Sequence, residues 1–181
     1  MITTDRLLLR PLGNDDIAIT AEAVVESLPD LLPWMPWAHA AYDADDAESW
    51  IGYSREMWSL GREFGFGVFS RGRYLGSCSI DRIDWPMRRA NLGYWIRSSE
   101  VGAGFATEAA RAVAAWAFRV HALHRIDVVV TVGNVRSERT AARIGAQREG
   151  IARNGLVIHG QPRDAVVFGL LPADLAPPGG L

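Results

Sequence analysis

The sequence predicts a single α/β domain over residues 1–175. Three observations support this. The chain has 181 residues, enough for one substantial core and too few for two ordinary domains. Residues 64–96 divide into three strand-like runs joined by short polar connections. An Ala-rich stretch after Gly104 then changes to helical periodicity.

The elements follow in order. Residues 6–12 read as a short Leu-rich strand. Asn14 or Asp15 caps a helix that runs to about Ser27. Pro29, Pro33 and Pro36 exclude regular helix and make the segment with Trp34 and Trp37 a loop. Asp43, Asp45 and Asp46 suit the first turn of a second helix, where the dipole favours negative charge. Its apolar face carries Trp50, Ile51, Tyr53, Ser54 and Trp58.

Residues 64–69 and 74–83 are strands, with Ser70-Arg71-Gly72-Arg73 as a hairpin connection, and residues 90–96 extend the meander. In the helix that ends near His121, Ala106, Ala109, Ala110, Val113, Ala117 and Val120 share one stripe. Residues 126–132 form a β-branched strand buried on both faces. A helix over 134–144 stops at Gly145, and strands near 146–153 and 165–171 close the domain. The Pro- and Gly-rich residues 176–181 are expected to be a disordered tail.

Composition excludes several classes. A formal net charge of −2 gives no whole-surface attraction to nucleic acid or anionic membrane. Cys78, the only cysteine, cannot form an internal disulfide or a Cys-based zinc site. The four histidines lack HExxH spacing, so no metal is expected. No basic segment precedes an apolar run at the start, and no stretch reaches the roughly twenty apolar residues of a membrane span. The expected compartment is the cytoplasm.

The chemistry concentrates at Gly102-Ala103-Gly104-Phe105-Ala106, between a strand and a helix. Glycines there let backbone N–H groups turn toward a ligand, and a helix start adds unpaired amides with positive dipole. The spacing fits a phosphate or diphosphate site, and equally a tight turn that needs glycine. No Gly-Lys-Ser/Thr follows, so this is not an NTPase loop. Nor does it follow the first strand of a βαβ unit, as a dinucleotide fingerprint does.

The segment Val101-Gly102-Ala103-Gly104-Phe105-Ala106-Thr107-Glu108-Ala109 resembles the acyl-CoA loop of the GNAT superfamily of N-acetyltransferases, in its RimJ/RimL-like group. Other passages are similar to that group in the same order: Thr4-Asp5-Arg6-Leu7, Leu32-Pro33-Trp34-Met35-Pro36-Trp37, Leu92-Gly93-Tyr94-Trp95-Ile96, and Asn134 with Ser137 before Ile144-Gly145-Ala146. The resemblance implies an α+β fold: a mixed, mostly antiparallel sheet with splayed central strands, flanked by helices. It implies acetyl-CoA as co-substrate, held by Trp95, Ile96, Gly102, Ala103, Gly104, Phe105, Ala106, Thr107 and Asn134. The group carries Gln or Arg where this chain has Val101, so weaker cofactor binding is expected.

By the same resemblance, Ser137 is the acid for the CoA sulfur, and Trp34, Trp37 and Asn91 face the acceptor. Asn134 also fits ordinary helix capping, and the tryptophans also fit core packing. Asp164 fits a structural salt bridge at the opening of the last strand. The general base is open: relatives carry Glu where this chain has Asn91, and residues 154–157, at the hairpin before the last strand, hold no acid. His39, His159 and Asp84 are the substitutes. A weak base suits an α-amine, whose pKa is about 7.7–8.0, better than lysine near 10.4. The expected acceptor is a peptide N-terminus, or a small-molecule amine such as an amino acid, polyamine or antibiotic. A non-catalytic acyl-CoA-binding module and a homodimer are left open.

Overall fold

Hairpins carry most of the chain into one eight-stranded sheet, ordered β1-β2-β3-β4-β5-β6-β8-β7. The computed structural model describes residues 1–175; the expected tail at 176–181 lies outside them. The strands are β1 (Ile2–Thr3), β2 (Leu8–Arg10), β3 (Phe64–Ser70), β4 (Arg73–Asp84), β5 (Arg89–Ile96), β6 (Arg125–Thr131), β7 (Gln147–Ile158) and β8 (Gln161–Leu170). The helices are α1 (Ile17–Leu31), α2 (Ala44–Ser59), α3 (Phe105–His121) and α4 (Val135–Arg143). Among the described residues only β5 and β6 pair in parallel, so the sheet is mixed and mostly antiparallel.

Local chemistry explains these boundaries. Arg71 and Gly72 both have positive φ, 49° and 80°, giving the two-residue turn whose twist matches the flanking strands β3 and β4. Asp43 caps α2 reciprocally: its carboxylate accepts from the Asp45 and Asp46 amides, and Asp46 accepts from the Asp43 amide. Asn134 caps α4 by accepting from the Ser137 amide. On α3, Ala109, Ala110, Val113, Ala114 and Ala117 are buried against the sheet. Such small side chains let the helix approach the strands closely. Helices α1 and α2 cover the opposite face through Ala23, Ile51, Phe69 and Tyr74.

Several expectations need correction. The strand expected over 6–12 shortens to β2 at Leu8–Arg10, and β1 precedes it across a turn in which Thr4 accepts from the Leu7 amide. Pro29 lies inside the last turns of α1, where the helix forgoes one hydrogen bond and continues to Leu31. Tyr53 of α2 is exposed; Ala47 and Ile51 make the buried contacts. Val120, placed on the stripe of α3, is exposed at its last turn. Strand β6 ends at Thr131, and Val132 is exposed.

β7 runs on to Ile158, so the final hairpin turns at His159-Gly160, both with positive φ. Asn154-Gly155 is instead a bulge inside β7, where the register against β8 slips between Ala152 and Leu156. Asp164 makes no salt bridge among the described residues. It accepts the Asn154 amide at 2.9 Å and so fixes the bulge.

Candidate active site

The parallel pair β5–β6 is short. It matches Arg89 with Arg125, Ala90 with Ile126 and Asn91 with Asp127, then stops. Beyond Asn91, β5 remains paired with β4 as far as Ile96, while β6 keeps only its β8 partner. Among the described residues the β6-facing edge of 92–96 has no strand partner, an acceptor–donor row that an extended ligand can join. The closed end is pinned by charge: Asp127 accepts from Arg89 Nε at 2.5 Å and Arg125 Nε at 2.8 Å. Arg125 also forks onto Glu149, and these bonds hold its guanidinium pKa above the usual range.

The split opens into a cavity of about 780 Å³. Alternation along β5 divides its walls. Trp95 packs toward α1 and α2, whereas Tyr94 and Ile96 pack on the α3 side. A ligand in the split is therefore approached from two opposite faces.

At one end the chain leaves Ile96 and reaches the glycine loop. Gly104 precedes α3 with φ 82°, in the left-handed region, and Gly102 has φ 88°. The first bond of α3 runs from the Glu108 amide to the Gly104 carbonyl. Among the described residues the amides of 102–107 have no partner, so they can bind an anion at the helix dipole. Arg6 braces this loop. It donates to the Ala103 carbonyl at 3.0 Å and to Glu108 at 2.7 Å, and lies 4.7 Å from the Phe105 ring centroid. The chain thus brings a cation from β1–β2 to the loop where position 101 is Val.

Upstream of the loop, buried Arg97 ties β5 to α1 through Glu22 and Glu26. Hydrogen bonds from Arg97 and Ser99 hold the Glu26 carboxyl down at about 2. Ser98 donates its amide to Ser27 Oγ at 3.0 Å, fixing where the loop departs.

At the middle of the split, Ser137 and Tyr94 meet. Ser137 Oγ donates to the Tyr94 oxygen at 3.3 Å, and the Tyr94 hydroxyl donates to the Ser137 carbonyl at 3.0 Å. Burial pushes the Tyr94 phenol well above its ordinary value, so it stays protonated.

A scan against protein families matches residues 6–147 to the acetyltransferase (GNAT) domain. The [ribosomal protein uS5]-alanine N-acetyltransferase of Escherichia coli (strain K12) is 29% identical over 180 residues, covering 97% of this chain and 93% of its own. The chain belongs to the GNAT acetyltransferase family. Mycobacterium smegmatis RimJ in complex with CoA-disulfide superposes with a TM-score of 0.86 at 26% identity, over 93% of this chain and 83% of its own. The microcin C7 self-immunity acetyltransferase MccE, solved with acetyl-CoA and AMP, shares the fold alone, with a TM-score of 0.88 at 19% identity over 93% of each chain. The protein is accordingly an N-acetyltransferase of RimJ/RimL-like kinship, with the splayed sheet expected of that fold.

Within this GNAT frame, Trp34, Trp37, Asn91, Trp95, Asn134 and Ser137 all line the same cavity. Trp37 is 40% exposed and tilts against Trp95 at 6.1 Å between centroids, so it forms wall rather than core. None of the three substitute bases lines the cavity. His39 pairs with Asp46 at 3.2 Å, His159 contacts the Leu32 carbonyl at 2.9 Å, and Asp84 accepts the Met87 amide in a turn.

A carboxylate nevertheless sits against Asn91. Asp81 of β4 is its register partner, and Asn91 Nδ2 donates to Asp81 Oδ1 at 2.9 Å. Ser79 adds a second bond at 3.2 Å. Burial still raises the Asp81 pKa above the usual carboxylate range. The folded protein therefore holds that proton more tightly than the unfolded chain does. Stability contributed below the ordinary Asp range is lost as pH rises through the raised value. Such a cost is common at functional carboxyls.

Proposed function

We propose that this GNAT enzyme acetylates the α-amine of a protein N-terminus, with acetyl-CoA as co-substrate. The observation that carries this reading is the unpaired 92–96 edge, which the chain follows with the free amides of 102–107. Five strand residues span roughly 17 Å, a length suited to a pantetheine arm laid as an added strand along Trp95 and Ile96. The diphosphate would lie on Gly102, Ala103, Gly104, Phe105, Ala106 and Thr107, with Arg6 close by. The thioester then falls near Asn91, at the far end of the edge.

The two faces of β5 divide the work. The amine enters from the α1–α2 side, past Trp34 and Trp37, and attacks the thioester carbonyl carbon. Ser137 reaches from the α4 side and protonates the departing sulfur, its hydroxyl oriented by Tyr94. Asn134 caps α4 and so sets the height of Ser137. The acceptor class is supported by the ribosomal-protein alanine in the name of the E. coli relative, whose match covers nearly the whole chain. Among the described residues no helix is long and apolar enough to cross a membrane. A ribosomal acceptor would make the cytoplasm the working compartment.

The test is direct. Acetyl-CoA is supplied with peptides that offer one free α-amine and one internal lysine, and fragment masses locate the acetyl group. The expected product carries it on the α-nitrogen. Acetyl on the lysine, or transfer only to free amino acids or polyamines, would replace the acceptor class.

A further inference from the structure

We propose that Asp81 accepts the acceptor's proton, a catalytic role that rests on the acetyl-transfer reading above. The unpaired edge of β5 starts at residue 92, immediately after the Asp81–Asn91 register pair. The loop that binds the anion follows Ile96 at the other end, so the reactive end of an extended co-substrate points at Asn91. Asp81 and Asn91 both line the cavity there.

The hydrogen bonds add a second argument. Asn91 spends its amide hydrogen on Asp81, which fixes the amide's orientation. Asn91 Oδ1 is then buried with no partner among the described residues. A buried acceptor of this kind costs stability unless a donor arrives. An ammonium group supplies several donors. The pair therefore offers one fixed neutral acceptor beside one carboxylate, both able to receive N–H.

The surroundings are also acidic. Glu63, just before β3, lines the same cavity and accepts the Tyr53 hydroxyl of α2 at 3.0 Å. Burial raises the Glu63 and Tyr53 pKa values, and Asp81 pushes in the same direction on both. Arg82, also on β4, is exposed and 4.0 Å from Asp81. Cys78 is buried on the same strand, and its thiol is raised by that burial. A carboxylate facing another acid and little compensating charge favours a cationic visitor and then holds its proton.

The proton balance closes. Of the three N–H protons of an acceptor ammonium, one passes to Asp81 and on to water. The freed lone pair forms the N–C bond, and the C–S bond breaks. A second proton leaves the nitrogen to balance the one that Ser137 delivers to sulfur. The third remains in the amide.

The experiment compares wild type with Asp81→Asn, near-isosteric and without a buried charge, and measures acetyl-CoA binding alongside kcat/KM from pH 5 to 9.5. Two peptide acceptors with α-amines of different pKa are used. In wild type the acid limb should be the same for both acceptors, because an enzyme group sets it. In Asp81→Asn, kcat/KM should fall roughly a hundred- to ten-thousandfold, acetyl-CoA binding should be retained, and the acid limb should move to each acceptor's own pKa. The double variant Asp81→Asn/Asn91→Asp returns a carboxylate across the pair and should recover an acceptor-independent limb. An active wild type whose profile and rate survive Asp81→Asn overturns the assignment and leaves the acetyl-transfer reading intact. A wild type that transfers acetyl to no amine overturns both.

Discussion

The two ends of the cleft are built from different materials. The loop end uses backbone: unpaired amides at 102–107, with glycine at the positions of positive φ. The other end, where we place the acceptor, is lined by side chains from α2, β3, β4, β5 and the Trp34–Trp37 segment. A backbone site depends on conformation and tolerates side-chain change, so Val101 would not remove the proposed one. An acid–base site depends on the identity and burial of a few groups. Cofactor recognition and acceptor chemistry can therefore vary independently on one sheet.

That contrast can be broken by substitution, beginning at the loop. Gly104→Val places a β-branched residue at φ 82°, a conformation it does not adopt, so the loop must rebuild. Acetyl-CoA affinity should drop by more than about a hundredfold by titration calorimetry, roughly 3 kcal/mol. Unchanged affinity would remove the loop from the binding site.

Ser137→Ala comes next and probes a side chain at the centre of the split. Turnover should fall by roughly ten- to a thousandfold while acetyl-CoA binding stays close to wild type. Equal losses in binding and turnover would make Ser137 a fold-supporting residue of α4.

The smallest effect is expected at Arg6, which sharpens the comparison because it is a side chain serving the backbone site. Arg6 is half exposed, so its charge is screened. Arg6→Ala should raise the KM for acetyl-CoA about tenfold and leave kcat unchanged. A kcat effect of the same size would show that the loop's position also governs chemistry.

The same contrast explains what could be read from the chain. The strand–glycine–helix passage is contiguous, and so are the Asp43 and Asn134 caps, so these follow from local spacing. Ser137 was reachable through the family resemblance, with its Asn134 cap three residues away. Asp81 was not. Its meeting with Asn91 depends on an irregular register between Asp81 and Asp84 and on the turn at 85–88, neither fixed by periodicity. Counting back from Asn91 across that hairpin was the available signal, and the irregular register obscured it. Arg6 reaches Ala103 across 97 positions, a contact that no local pattern encodes. Asn154-Gly155 has turn chemistry, yet the Asp164 carboxylate captures the Asn154 amide and β7 continues past it. Turn residues mark irregular backbone, whether it reverses the chain or bulges a strand.

The central claim is that acetyl-CoA completes the backbone left open by the splayed strands. Hydrogen exchange at individual amides, with and without acetyl-CoA, tests it most directly. The account predicts slowed exchange in two stretches, residues 92–96 and 102–107, with the paired amides of β7 and β8 unchanged. Protection that misses both stretches while acetyl-CoA is bound would contradict it.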